Sequence, residues 1–294
     1  MKVYLVGAGP GDPGLITVKG ARALSQADCV LYDYLANERL LELAPAACER
    51  IYVGKKRSQH EMPQAEICAL LVHKAQQGKT VVRLKGGDPF IFDRGGAEAL
   101  FLHERQIRFE VVPGLPTALG AAAYSGVPLT YPGGGDTLTF VRGNEGAANT
   151  LPDVDWGSLA TLDGTIVCYA GPDQLPDMLD ALLKAGRPED DTAALVYDGT
   201  LPTQHTALGT LAEIAHHVNT ASHERRPAIL VVGRVAALRE HLRWFDSRPL
   251  FGRRVLVTRP REQSAEFVTL LQALGADPIE APIDRKSTRL NSSH

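Results

Sequence analysis

Val81-Val82-Arg83-Leu84-Lys85-Gly86-Gly87-Asp88-Pro89-Phe90-Ile91-Phe92-Asp93-Arg94-Gly95-Gly96 is the stretch on which the fold turns. Val81–Leu84 reads as a buried strand that stops abruptly at Gly86-Gly87-Asp88-Pro89, and a helix starts near Gly95. Glycines at the carboxyl end of a parallel strand leave the backbone open to a ligand, because no Cβ blocks the approach. Asp88 offers a carboxylate to hydroxyls or to a cation, while Pro89 fixes the turn and removes one donor. Open α/β sheets bind ligands at this edge, outside the carboxyl ends of the strands.

The amino terminus repeats the arrangement. Lys2–Val6 is an apolar strand, followed by Gly7-Ala8-Gly9-Pro10-Gly11-Asp12-Pro13-Gly14. One such cluster is an ordinary tight turn. Two Gly-Asp-Pro turns, each after a strand and before a helix, point instead to a ligand edge. A dinucleotide-binding fold is the rival, with Gly7 and Gly9 as the first glycines of its fingerprint and Asp33 at the ribose position. Its third glycine is Asp12 here, which would crowd the helix and repel a pyrophosphate from the helix start.

The chain has 294 residues, is 44% hydrophobic and 22% charged, and carries a formal charge of −3. Those values predict a globular chain with room for two domains and give no support for wholesale nucleic-acid binding. No apolar run reaches the ~20 residues that span a bilayer. Met1-Lys2 leads directly into a strand rather than a signal peptide, so neither a membrane nor a nucleic-acid partner is expected. Cys29, Cys48, Cys68 and Cys168 form no CxxC pair. They read as small buried hydrophobes in a reducing cytoplasm, and no metal site is expected.

Periodicity divides the chain into parts, with strands alternating with helices in the first. Residues 1–125 give strands at Lys2–Val6, Cys29–Tyr32, Arg50–Val53, Thr80–Leu84 and Glu110–Val112. Helices fall at Leu15–Gln26, Glu38–Leu43, Pro63–Gln77 and Gly95–Arg105. Residues 126–246 form a second α/β unit, opening with the linker or loop Tyr131–Asp136. Its strands are Leu138–Arg142, Thr165–Ala170, Ala193–Tyr197 and Ala228–Gly233. Its helices lie near Gln174–Ala185, Leu211–Val218 and Val235–Leu242. Residues 249–283 open a further βαβ unit, too short to bury its own faces. Residues 284–294 break the pattern and are expected to form a disordered tail.

Several ordered segments carry a resemblance to a known family. They are VGAGPGDPGLITVKGARAL from Val6, ADCVLYDYL from Ala27, VGK from Val53 and VVRLKGGDPFIFDRGG from Val81. They continue with VVPGLPTALGAAAYSGVPLT from Val111, YAG from Tyr169, DGT from Asp198 and RPAILVVGRVAALREHLRWF from Arg226. The first ~245 residues thus resemble the uroporphyrinogen-III C-methyltransferases of the tetrapyrrole methylase family. Residues 249–283, with GRRVLVTRPREQ from Gly252, look like the start of a uroporphyrinogen-III synthase, so the chain resembles a truncated fusion of successive enzymes.

The resemblance implies two α/β domains with a cleft between them, a homodimer, S-adenosylmethionine as methyl donor and a tetrapyrrole substrate. It implies two successive C-methylations of uroporphyrinogen III, giving precorrin-2 for sirohaem and cobalamin synthesis. The family's donor-binding positions fall on Pro10, Gly86, Gly87, Asp88, Ile91, Pro116, Thr117, Ala170 and Gly199. Its proton acceptor falls on Asp33 and its proton donor on Lys55. A carboxylate near a pyrrole N–H is a sensible general base, because electron density reaches the ring carbon as that proton leaves. The substrate's carboxylates call for basic side chains. Lys55, Lys56, Arg57 and His60 form one cluster, with Arg83, Lys85 and Arg94 near the glycine turn.

The chain departs from the family at Tyr34, Pro116, Tyr131, Pro132 and Ala170. Pro116 replaces a threonine, which leaves Thr117 to supply the hydroxyl. Tyr131-Pro132 replaces a His-Arg pair, and Ala170 a methionine. Two alternatives stand beside the main reading. One is another precorrin C-methyltransferase, against which Asp33 argues. The other is a non-catalytic donor-binding protein of the same fold.

Overall fold

A computed structural model describes residues 2–54, 62–143, 151–171, 173–220 and 227–281. Chain order in the first unit is β1 (Lys2–Gly7), α1 (Val18–Ser25), β2 (Cys29–Tyr32), β3 (Glu49–Tyr52), α2 (Gln64–Gln76), β4 (Thr80–Lys85), α3 (Gly95–Glu104) and β5 (Phe109–Val112). Pro13–Leu15 and Glu38–Leu43 are 3-10 turns, so the helix expected from Leu15 begins only at Val18. There the Thr17 hydroxyl accepts from the Gly20 N–H at 3.0 Å and caps the helix start.

All five strands are parallel, in the order β3-β2-β4-β1-β5. This order excludes the dinucleotide-binding rival. That fold seats its first strand beside its second, whereas β4 stands between them here. Both faces are apolar, as a sheet covered on two sides requires. Val6, Val30, Val82 and Leu84 pack on one face with Leu24 and Leu40. Val3, Leu5, Leu31 and Val81 pack on the other with Leu71 and Leu102.

After β5 comes α4 (Thr117–Ser125), a helix that periodicity does not announce. The second unit follows as β6 (Thr137–Arg142), α5 (Trp156–Thr161), β7 (Gly164–Ala170), α6 (Leu175–Lys184), β8 (Thr192–Tyr197), β9 (His205–Thr210), α7 (Leu211–Thr220), β10 (Ala228–Val232) and α8 (Arg239–Leu242). Its sheet has the order β6-β7-β10-β8-β9. Only β6 and β7 pair in parallel, and the other three pairings are antiparallel. Helices α6 and α7 cover one face through Met178, Leu179, Leu182, Leu211 and Ile214. The other face receives α4 through Ala118, Ala121 and Ala122, packed on Val167, Ala194, Val196 and Val231.

A third unit consists of β11 (Arg254–Val257), α9 (Arg261–Ala273) and β12 (Asp277–Glu280), with β11 and β12 parallel. It rests on Arg39, whose guanidinium donates to the Pro278 carbonyl at 3.2 Å. The 284–294 tail lies outside the described residues.

Candidate active site

The carboxyl edge of the first sheet is built from backbone packed on backbone. A Cβ on Gly7 would stand 2.5 Å from the Gly114 Cα and 2.6 Å from the Gly87 carbonyl oxygen. A Cβ on Gly114 would come within 2.2 Å of that same oxygen. No side chain tolerates such distances, so the turns after β1, β4 and β5 close on each other only as glycine. Gly9 and Gly87 exchange backbone hydrogen bonds of 3.2 and 2.8 Å, which locks the two Gly-Asp-Pro turns together. Gly86 plays a similar part, for its Cβ would lie 2.5 Å from that of Leu35. The glycines read in the sequence as openings for a ligand therefore also seat the chain against itself.

The two aspartates of these turns hold the edge in shape. Asp88 accepts from the Phe90 N–H at 2.8 Å through one oxygen and from the Gly114 N–H at 3.0 Å through the other. Each carboxylate oxygen retains a further lone pair for a ligand. Asp12 accepts from the Gly14 N–H at 2.8 Å and from the Tyr124 hydroxyl at 2.7 Å, while its own N–H donates to the Thr200 hydroxyl at 2.9 Å. Burial, then the bond to Asp12, pushes the Tyr124 phenol well above its ordinary value.

These contacts bring the positions expected to bind the donor to the first turns of α4. Thr117 directs its hydroxyl at Gly87, 3.2 Å from where a Cβ would sit, with Pro116 just behind. The hydroxyl expected from Thr117 is thus placed at the glycine turn. Pro10 rests on α4 so closely that a Cβ on Gly120 would be 2.3 Å from the proline Cγ. Gly199 packs on Ala121, and its Cβ would be 2.6 Å from the alanine Cβ. Ala170 ends β7 beside Tyr169, whose hydroxyl accepts from the Ala118 N–H at 3.3 Å. Ile91, 42% exposed, follows the Asp88 turn with the exposed Phe90. Positive φ angles at Phe92 (53°), Asp198 (48°) and Thr200 (73°) mark the same region, and strain of this kind concentrates where a site needs it.

S-Adenosylmethionine fits what these residues offer. The glycine edge presents backbone groups, Thr117 and Asp88 present polar atoms, and Ile91 presents an exposed apolar contact. Two surface hollows lie at the opposite edges of the sheets and take no part. One of about 510 Å³ is lined by Lys2, His103 and Arg108, and one of about 460 Å³ by Gly164, Arg187 and Thr192.

Asp33 stands at the carboxyl end of β2, beside this edge. One oxygen accepts from the Leu35 N–H at 3.1 Å, and the other pairs with Arg83 at 2.8 Å. Its side chain is 18% exposed, so it stays accessible. Lys55, Lys56, Arg57 and His60 lie outside the described residues. Arg83 and Lys85 are not the substrate-facing cations that their positions suggested. They are 4% and 1% exposed and are held by the buried Glu98, with Asp33 and Asp93 at its rim. Alternation along β4 explains this, since a charged side chain that points inward needs a partner there. Arg94, at the start of α3, is exposed, as is Tyr131 of the altered loop. The sequence does not announce that Pro116 and Thr117 open a helix, nor the contacts of Tyr169 and Tyr124 at this edge. The Pro113–Pro116 break before a glycine-stopped segment was the available signal.

The family model for tetrapyrrole (corrin/porphyrin) methylases matches residues 2–215. The chain belongs to the tetrapyrrole methylases. It is 42% identical over 281 residues to a uroporphyrinogen-III C-methyltransferase of Bacillus subtilis, covering 95% of this chain and 58% of that one. It is 44% identical over 285 residues to a porphyrin biosynthesis protein, HemD, of Ruminiclostridium josui, covering 95% of this chain and 55% of that one. The chain therefore spans a little over half the length of these curated relatives. A uroporphyrin-III C-methyl transferase from Thermus thermophilus, crystallised with S-adenyl homocysteine, superposes with a TM-score of 0.67. It shares 38% identity, over 80% of this chain and 93% of that one. Among the described residues of this methylase, no helix is long and apolar enough to cross a membrane.

Proposed function

We propose that this methylase transfers two methyl groups in succession from S-adenosylmethionine to carbons of uroporphyrinogen III, giving precorrin-2. The observation that carries the reading is the juxtaposition at one sheet edge of the glycine turns, the Thr117 hydroxyl and the accessible carboxylate of Asp33. The relatives named for this reaction, and the one crystallised with the demethylated donor, support it.

When bound, the donor supplies an electrophilic methyl on a sulfonium. The chain supplies placement, which alone lowers such a barrier substantially by holding reactants in line. Gly86, Gly87, Asp88, Thr117 and Pro10 hold the donor from the first unit and α4, with Ile91, Pro116, Ala170 and Gly199 completing the enclosure. Asp33 takes the pyrrole N–H proton as the ring carbon becomes nucleophilic. Lys55 returns a proton or holds a substrate carboxylate. Residues 249–283 are the opening of a uroporphyrinogen-III synthase unit. The functional form is a homodimer in the cytoplasm.

The test is incubation with anaerobically generated uroporphyrinogen III and S-adenosylmethionine, followed by mass spectrometry of the tetrapyrrole. A gain of two methyl groups supports the reading. Donor binding with no methyl transferred overturns it in favour of a non-catalytic binding protein. Methylation only of a more advanced precorrin would move the chain to a sister reaction.

A further inference from the structure

Beneath Asp33 lies a charge cluster that the proposed reaction does not use. Glu98, in the first turn of α3, is fully buried. Its Oε1 accepts from Arg83 Nε at 3.3 Å, from Lys85 Nζ at 3.1 Å and from Gln64 Nε2 at 3.1 Å. Its Oε2 is buried with no hydrogen-bond partner among the described residues. Arg83 completes its fork by donating to the Leu84 carbonyl at 3.0 Å and to Asp33 Oδ2 at 2.8 Å. Lys85 also pairs with Asp93 at 3.1 Å.

Among the described residues, three carboxylates thus meet two cations, with Glu98 fully buried and Asp33 and Asp93 at the partly exposed rim. A cluster with an excess negative charge and an orphaned carboxylate oxygen is costly, because buried charges need full pairing. Apolar residues of similar size would cost less at a position with structural duty alone. Such local cost concentrates at sites with a task. The task legible here is control of Arg83. An arginine paired only with Asp33 would hold that carboxylate as a firm ion pair and withhold it from the substrate. Glu98 competes for the same guanidinium from behind.

We infer that Glu98 is a positioning residue, which shares Arg83 with Asp33 and so keeps the Asp33 carboxylate available to the substrate proton. The inference rests on the proposed role of Asp33. The groups facing this system are Arg83 and Lys85 from β4, Tyr52 from β3, Gln64 and Cys68 from α2, and Asp93 before α3. Burial pushes the Glu98 carboxyl up, but Arg83 and Lys85 outweigh it and hold the group ionised.

The experiment compares wild type, Glu98→Gln and Asp33→Ala for the pH dependence of kcat in donor-saturated methyl transfer. Binding of S-adenosylhomocysteine serves as the check on fold. Glu98→Gln should bind S-adenosylhomocysteine as wild type does. Its kcat should fall about tenfold and the acid limb of its pH profile should move to lower pH, because Arg83 is then left to Asp33 alone. In an Asp33→Ala background the same change should leave the residual rate unaltered. If Glu98→Gln fails to fold, Glu98→Asp keeps the charge but draws it back by one methylene, and a smaller shift in the same direction is expected. An unshifted acid limb, or a rate loss that persists in the Asp33→Ala background, would overturn the inference. Full activity of Asp33→Ala would overturn instead the role given to Asp33.

Discussion

Gly120→Ala sets two effects of known sign against each other. Alanine is the better helix former by about 1 kcal/mol, so in an open helical position the change would stabilise. Gly120 is not open. Its added Cβ would stand 2.3 and 2.7 Å from the Cγ and Cβ of Pro10, and 3.2 Å from the Thr200 Cγ2. Carbon atoms prefer about 3.5–4.0 Å, so the proline ring must move by more than an ångström. Pro10 is held on both sides, by the Gly9–Gly87 bonds and by the bond from the Asp12 N–H to Thr200. Overpacking of this kind costs about 1–3 kcal/mol, which matches or exceeds the helical gain. Less the helical gain, the expected net loss is up to about 2 kcal/mol. Because Pro10 also belongs to the proposed donor site, S-adenosylhomocysteine should bind about three- to tenfold more weakly. Urea unfolding followed by circular dichroism reads the first effect, and calorimetric titration reads the second. Gly96→Ala is the control. Nothing lies within 4 Å of its added Cβ, so it should stabilise by about 0.4–1 kcal/mol and leave binding unchanged. A Gly120→Ala protein as stable as wild type, with unaltered donor affinity, would refute the close seating of Pro10 on α4.

Other outcomes follow from the same contacts. Tyr124→Phe removes the 2.7 Å bond to Asp12 and should cost about 1 kcal/mol in urea unfolding. None of the four cysteines should react with a thiol reagent in the folded protein, since all are buried and burial pushes Cys29 to about 11 and Cys168 to about 12. Hydrogen bonds from Lys74 and Lys79 hold Glu49 down at about 2. Its contribution should be complete above its ordinary value of 4.5 and vanish as pH falls towards 2, so Glu49→Gln should match wild type in acid and be less stable at neutral pH. Glu49 is 39% exposed, so that difference should be small and should shrink in high salt.

The strands were legible where apolar runs alternate with clear stops, as at Lys2–Gly7 and Thr80–Lys85. Helix α4 was not. Its sequence, TALGAAAYS, is small and apolar all round, so no amphipathic stripe marks it. It is buried against the second sheet on one side and presses on Pro10 with the other. Strand β9 escaped for the opposite reason. It is an edge strand, half-buried at best, and HTALGT carries no alternation to read. The glycine turns announced a close-packed sheet edge, because only glycine permits such contacts. What they could not announce was their partner, since Gly7, Gly87 and Gly114 are distant in sequence. Arg83 and Lys85 misled for a related reason. A cation in an apolar strand is ambiguous until its carboxylate is located, and Glu98 and Asp33 lie fifteen residues after and fifty residues before Arg83.

The most direct test of the account is transfer of labelled methyl from S-adenosylmethionine to uroporphyrinogen III by wild type and Asp33→Ala, with S-adenosylhomocysteine binding measured on both. The account predicts two labels per tetrapyrrole for wild type, equal binding by both proteins, and a rate about 10²–10⁴-fold lower for Asp33→Ala. Undiminished transfer by Asp33→Ala, or no transfer by a wild type that binds the donor, would contradict it.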